Sequence, residues 1–184
     1  MSRARAEMEL PSGVQLVPLE VRGDERGELT EIFRDEWPLA MDPVQWNLVR
    51  SREGTLRGVH VHWRHSDYLV VVRGVATIGL LDLRPGATTP PAVVALAEDR
   101  PAALLTPAGV AHGFYFHTDA VHVYAVSSYW DAADELGCRW DDPELGIPWP
   151  ATPLWLSERD RSLPSLAQLR DELRGRLSAP GQLP

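Results

Sequence analysis

The chemistry-bearing residues of this 184-residue chain fall in one stretch and a later companion to it. His60-Val61-His62 is followed by Asp67, and Pro107-Ala108-Gly109-Val110-Ala111-His112 supplies a further imidazole. On an extended chain residues i and i+2 point to the same face, so His60 and His62 converge on one place. Three imidazoles and a carboxylate, from His60, His62, Asp67 and His112, form a donor set that suits a divalent transition metal with open positions. The same residues without a metal would make the polar lining of a ligand pocket.

Such a set needs strands to hold it, and the punctuation of the chain supplies them. From Val14 to about Trp130, Arg26-Gly27, Arg57-Gly58, Arg73-Gly74, Pro85-Gly86 and Pro107-Ala108-Gly109 separate short runs rich in β-branched and aromatic residues. The clearest runs are Tyr68 to Val72, Val75 to Leu81, Val93 to Leu96 and Val121 to Val126, a spacing that predicts an all-β sandwich or barrel. Beyond Trp130 the Pro- and Trp-rich chain reads as irregular packing against the outside of that barrel. Only Ser165 to Leu177 has helical spacing, with Leu166, Leu169 and Leu173 on one side and Ser165 as N-cap. Residues 1–12 read as a flexible N-terminal lead-in.

Composition narrows the function. Twenty-six acidic residues against 18 basic ones give a net charge of −8, which argues against nucleic acid and against an anionic membrane as partners. Every basic residue is arginine, so Schiff-base catalysis and any lysine clamp on an oxyanion are excluded. The single cysteine, Cys138, cannot form an internal disulfide, and no apolar run approaches the roughly 18 residues that span a bilayer. These features predict a cytoplasmic protein.

Gly54-x5-His60-x-His62-x4-Asp67-x6-Gly74 with Pro107-x-Gly109-x-x-His112 resembles the two motifs of the cupin superfamily, with Asp67 in place of a glutamate. Longer segments narrow the resemblance to the dTDP-4-dehydrorhamnose 3,5-epimerase family. They are Gly23-Asp24-Glu25-Arg26-Gly27 with Glu31, Gln45-x-Asn47, Leu56-Arg57-Gly58-Val59-His60, Asp82-Leu83-Arg84, Ala111-His112-Gly113-Phe114, Trp140-Asp141-Asp142-Pro143, Gly146-Ile147-x-Trp149-Pro150 and Leu156-Ser157-Glu158-Arg159-Asp160. The resemblance implies an all-β cupin double-stranded β-helix or jelly-roll barrel with a short C-terminal helix, one domain over residues 13–184. It puts His60 on the family's general base and Asp160 on the carboxylate that orients it. Proton abstraction beside a sugar ketone suits a group that titrates near neutrality, held in one tautomer by a buried carboxylate. Arg26, Glu31, Gln45, Asn47, Arg57 and His112 match positions that line the sugar-nucleotide site, and arginine suits pyrophosphate.

Three departures qualify that implication. The family's active-site lysine, counted back from Gly74, falls on Asp67, where a negative group would repel a forming enolate. Asp67 then carries a cation, or is protonated, or leaves the intermediate to another group such as Arg57. The glutamine usual two residues after the base is His62, so the two changes together rebuild the cupin ligand set. The acid–base tyrosine, five residues before Glu135, falls on Trp130, which becomes a stacking wall or a core aromatic. Its neighbour Tyr129 would point to the opposite strand face unless a bulge turns it inward, which keeps Tyr129 a catalytic candidate. Trp46 and Trp63 flank the expected site, while Trp140, Trp149 and Trp155 fit packing positions. Phenylalanines usual after Arg26 are missing, which leaves the nucleotide open.

The resemblance thus implies an isomerase acting on a 4-keto-6-deoxy sugar nucleotide, with no cofactor required. Two rivals stand beside it. One is a metal-dependent cupin enzyme, an oxygenase, lyase or sugar 3,4-ketoisomerase, using His60, His62, Asp67 and His112. The other is a non-catalytic sugar-nucleotide-binding cupin. Family members are homodimers whose early strands reach the partner's pocket, so a homodimer is expected, with Val14 to Val17 as a pairing strand.

Overall fold

Period-2 alternation of apolar residues along the central segments dictates two sheets that face each other. The computed structural model describes residues 9–178. One sheet joins β1 (Gln15–Pro18), β9 (Ala102–Thr106), β6 (Asp67–Arg73), β11 (Ala120–Val126) and β4 (Gln45–Ser51), in that spatial order. The other joins β12 (Leu136–Gly137), β5 (Leu56–Val61), β10 (Val110–Phe116), β7 (Val75–Asp82) and β8 (Ala92–Ala97). All pairings within both sheets are antiparallel. A separate hairpin, β2 (Val21–Asp24) and β3 (Gly27–Thr30), stands outside them.

Between the sheets, Leu69, Val71 and Leu104 meet Ile78, Leu80, Val94, Leu96 and Phe116 in a buried core. The outer face of the first sheet packs Tyr68, Val70 and Leu105 against Leu19 and Met41. The outer face of the second is covered by the Pro- and Trp-rich segment through Leu145, Ile147, Trp140 and Trp149, and by helix α2 (Leu166–Ser178) through Leu166, Leu169 and Leu173. Ser165 caps α2 as its spacing predicts. Its Oγ accepts from Gln168 N–H at 3.2 Å while Gln168 Oε1 accepts from Ser165 N–H at 2.9 Å, a reciprocal capping box.

Two details position the site. Gly58 has φ +120°, and a Cβ there would lie 2.7 Å from Gly113 Cα and 2.9 Å from His112 O. Only glycine lets β5 and β10 press this closely, and the pairing sets His60 opposite His112. Strand β11 ends at Val126, after which Asp131 caps a 3-10 turn at Ala132–Asp134, so the chain leaves the sheet before Tyr129. Residues 1–8 of the expected lead-in lie outside the described residues. Of the remainder, Leu10 packs against the inter-sheet core and Pro11 is buried, while Glu9 and Ser12 are exposed.

Candidate functional site

A cavity of about 470 Å³ occupies one end of the space between the sheets. Its walls come from β4, β5, β6, β10 and β11, and the segment from Trp155 to Asp160 crosses its mouth. His60 projects into it from β5, with its Nε2 2.6 Å from Asp160 Oδ1. Asp160 is buried on the single-turn helix α1 (Glu158–Arg161). Ser157 Oγ caps that turn by accepting Asp160 N–H at 3.0 Å, and Gly58 N–H approaches Asp160 Oδ2 at 3.4 Å. Burial acts to raise the Asp160 pKa, but the His60 hydrogen bond and charge, with Ser157 and Gly58, outweigh it and hold the group below its ordinary value. A carboxylate that stays ionised can fix one imidazole nitrogen and stabilise the imidazolium formed when the other takes a proton.

Behind His60 lies a buried polar cluster. His62 Nε2 and His112 Nε2 approach Asp67 Oδ2 at 3.7 and 3.6 Å. On the far side of His62, Nδ1 faces Glu135 Oε1 at 3.4 Å, and its ring stacks on His65 with centroids 4.1 Å apart. His65 Nδ1 is held by Asp134 at 3.1 Å, and Asp134 also accepts the N–H groups of Trp63 and Arg64. Burial, with neighbouring His112, His65 and His60, pushes His62 down to about 2. Burial is also the main cause that pushes His112 down to about 4. Burial, then Glu135 and Asp134, raise Asp67 well above the carboxylate range. Near neutrality these are neutral imidazoles against a carboxyl that resists ionising, so the approaches at 3.6–3.7 Å are not ion pairs. Among the described residues, the ligand atoms of His62, Asp67 and His112 lie within 4.8 Å of one another, as do those of His62, His65 and Glu135.

The expected binding residues divide into two groups. Gln45 and Asn47, hydrogen-bonded to each other at 3.1 Å, line the cavity from β4, and Asn47 Nδ2 is buried without a partner. Arg57 lines it too, braced by Ser51 Oγ at 3.0 Å. Trp130 stands at its rim, 63% exposed, and is a core residue on no side. Arg26 and Glu31 are not brought to this cavity. Arg26 is bound to Asp24 within its own hairpin, and Glu31 pairs with Arg34 along a second cavity of about 680 Å³ beside β1. Tyr129 is 73% exposed and does not line the site, because the chain has already left the sheet.

His60 does not join the other three expected metal ligands, because its Nε2 is engaged by Asp160. Trp46 lies outside, edge-on to Phe33 and Tyr68, since Gln45 and Asn47 take the inward positions of β4. Trp63 packs with the outer cluster of the second sheet. Trp155, expected to be packing, instead borders the cavity, with Arg52 5.4 Å over its ring. Sequence reasoning passed over His65, Asp134, Glu135, His122 and Tyr124. The last two were available from the alternation of β11, which sends His122, Tyr124 and Val126 to one face.

The paired sheets, the cavity at one end and a carboxylate-held histidine inside it define a cupin jelly roll equipped for proton transfer. The profile of the dTDP-4-dehydrorhamnose 3,5-epimerase family matches residues 8–168, and the chain belongs to that family. It is 35% identical over 169 residues to the dTDP-4-dehydrorhamnose 3,5-epimerase of Sinorhizobium fredii, covering 85% of this chain and 86% of the relative. A 3'-monoepimerase from Streptomyces bikiniensis, crystallised with dTDP-quinovose, superposes with a TM-score of 0.80 at 32% identity, covering 89% of this chain and 87% of the other. A 4-keto-6-deoxy sugar epimerase from the novobiocin biosynthetic gene cluster of Streptomyces spheroides gives 0.81 at 30% identity, covering 95% and 89%.

Proposed function

We propose that this protein is an epimerase of a dTDP-linked 4-keto-6-deoxy sugar, in which His60 removes the proton alpha to the ketone and Asp160 holds the imidazole for that step. The observation that carries the reading is the 2.6 Å contact between His60 Nε2 and buried Asp160, inside a cavity of sugar-nucleotide size in a chain of this family. Gln45, Asn47, Arg57 and His112 serve as the polar wall of the same cavity, and Trp130 as an aromatic surface at its rim. The pair needs no cofactor to take a proton.

Residues 13–184 act as one cupin domain in this reading, and the enzyme works in the cytoplasm as a homodimer. Support for the dimer is the placement of Arg26 on an exposed hairpin away from its own cavity, together with exposed Leu16, Val21 and Leu29 nearby. A hairpin of this kind can deliver Arg26 and Glu31 to a second chain's site. Sedimentation equilibrium tests that assembly, and a monomer would remove both residues from the site.

The activity is tested by incubating pure protein with a dTDP-4-keto-6-deoxyglucose substrate in heavy water. Deuterium enters the carbon next to the ketone with wild type and fails to enter with His60→Ala. No incorporation with wild type, or equal incorporation in both, would sink the assignment.

A further inference from the structure

The wall opposite His60 carries a polar group that the proton transfer does not use. His122 projects from β11, in the first sheet, into the cavity that His60 enters from the second. It is only 2% exposed, and aromatic neighbours hold its ring in place. The ring stacks on Phe116 with centroids 5.2 Å apart and planes 16° from parallel, and lies 6.1 Å from Phe114 and 6.2 Å from Tyr124. Such packing fixes where each nitrogen points. Nδ1 is buried without a partner, so the nitrogen turned to the cavity is Nε2, and among the described residues none hydrogen-bonds to either. Burial, and then Arg57, push His122 down to about 4, so the ring is neutral near pH 7 and carries one N–H. Native interiors leave a buried acceptor unsatisfied more readily than a buried N–H, which puts the proton on Nε2 and the bare lone pair on Nδ1. Around that N–H the wall is apolar, from Val49, Leu69 and Phe114, and Arg57 is braced by Ser51 Oγ at 3.0 Å.

We infer that His122 is a specificity-determining residue, whose Nε2–H donates a hydrogen bond to an oxygen on the sugar ring of the bound sugar nucleotide. Resting on the proposed function, this contact narrows the substrate to sugars that present an acceptor at that point. Position favours the sugar over the nucleotide. His122 borders the apolar core through Phe116, whereas the mouth lies where Trp155 to Asp160 cross and Trp130 stands at the rim. The sugar has to meet His60 inside, and the longer nucleotide leaves by the mouth. In the free protein water can serve the Nε2–H. A sugar that displaces this water either brings an acceptor of its own or leaves a donor bare in an apolar wall. A site built to bond a substrate oxygen rejects the analogue that lacks it far more strongly than an apolar pocket rejects a misfit methyl group. A sugar deoxygenated at the position facing His122 is therefore a poor ligand.

Calorimetric titration with two unreactive probes, dTDP-quinovose and dTDP, separates the sugar's contribution from the nucleotide's. His122→Phe keeps the stack on Phe116 and removes the donor. Its affinity for dTDP-quinovose is expected to fall by about 3–10-fold, the worth of one neutral hydrogen bond, while dTDP binds as it does to wild type and so reports an intact fold. His122→Gln, whose Nε2 reaches a similar place, is expected to recover most of the loss. Equal affinity of wild type and His122→Phe for dTDP-quinovose, or an equal fall for both probes, overturns the inference; the second result places the ring under the nucleotide or in the wall alone. Either leaves the sugar-nucleotide assignment standing. Wild type that binds neither probe overturns both together. A readout that needs no ligand is the ¹⁵N spectrum of the histidine rings, with the His122 signals identified by their loss in His122→Phe. The Nε2–H tautomer supports the contact, and the Nδ1–H tautomer rejects it.

Discussion

The two ends of the space between the sheets are built by the same strands and have opposite chemistry. Along β6 the inward positions run Asp67, Leu69, Val71, so one strand passes from the cavity into the apolar core in two steps. Along β10 they run from His112 to Phe114 and Phe116. At the core end, burial of aliphatic side chains against one another stabilises the fold at low polar cost. At the cavity end, burial without enough donors shifts Asp67 upward and His62 and His112 downward, keeping all of them short of charge. The scaffold is stiffened by one end so that the other can hold groups that would not choose to be there.

If that division holds, disabling one end should leave the other intact. The largest expected effect is on rate. Asp160→Asn leaves His60 in place but removes the carboxylate that orients it, so deuterium incorporation should fall by about 10²–10⁴-fold. Because Asp160 is held below its ordinary pKa in the fold, urea unfolding at neutral pH should also lose about 1.5–3 kcal/mol, the worth of a hydrogen bond to a charged group. A loss of stability with no loss of rate in the folded fraction would mean that the pair is structural. The mirror experiment is Leu104→Ala at the core end. It should cost about 2–5 kcal/mol in urea unfolding while the folded fraction exchanges protons at the wild-type rate.

The core end was legible from the sequence because period-2 alternation is local, and the strands read from Tyr68, Val75, Val93 and Val121 all exist. The cavity end was legible only in part. His60 and His62 share a strand, but His60 meets Asp160 across 100 residues of chain, and only resemblance to a family supplied that partner. Asp134 reaches the loop after β5 because a 3-10 turn folds back onto it, a contact that no spacing announces. Strand alternation does not extend to Tyr129 and Trp130, because the chain leaves the sheet after Val126, which exposes Tyr129 and brings Trp130 only to the rim of the cavity. Arg26 and Glu31 have local acidic and basic partners that a pattern read along the chain passes over.

His122 sits at the border between the two ends, stacked on core Phe116 with centroids 5.2 Å apart and also lining the cavity. Burial, and then Arg57, push it down to about 4, and its Nδ1 is buried without a partner. The unfolded chain takes up that proton near 6.5, so the folded state loses stability as pH falls from there toward 4. Between pH 7.5 and 4.5 the His122 share of that loss should be about 2–3 kcal/mol. His122→Phe, which keeps the stack, should therefore show a smaller acid-induced loss by that amount in urea titrations at the two pH values. An unchanged difference would place His122 among groups that stay solvated.

The smallest effect tests how far the two ends are coupled. Ser157 caps the single turn that carries Asp160, so Ser157→Ala should cost about 1 kcal/mol, the ordinary loss for a helix cap. Asp160 would still be held by His60 and approached by Gly58 N–H. The rate of deuterium incorporation should then fall by less than about tenfold, since 1.36 kcal/mol in the barrier corresponds to a factor of ten. Ser157→Asp, which restores an acceptor at the cap but adds charge beside Asp160, should recover stability and not rate. Recovery of both would mean that the cap acts on the turn alone, and that the position of Asp160 is set from the β5 side, by Gly58 and His60.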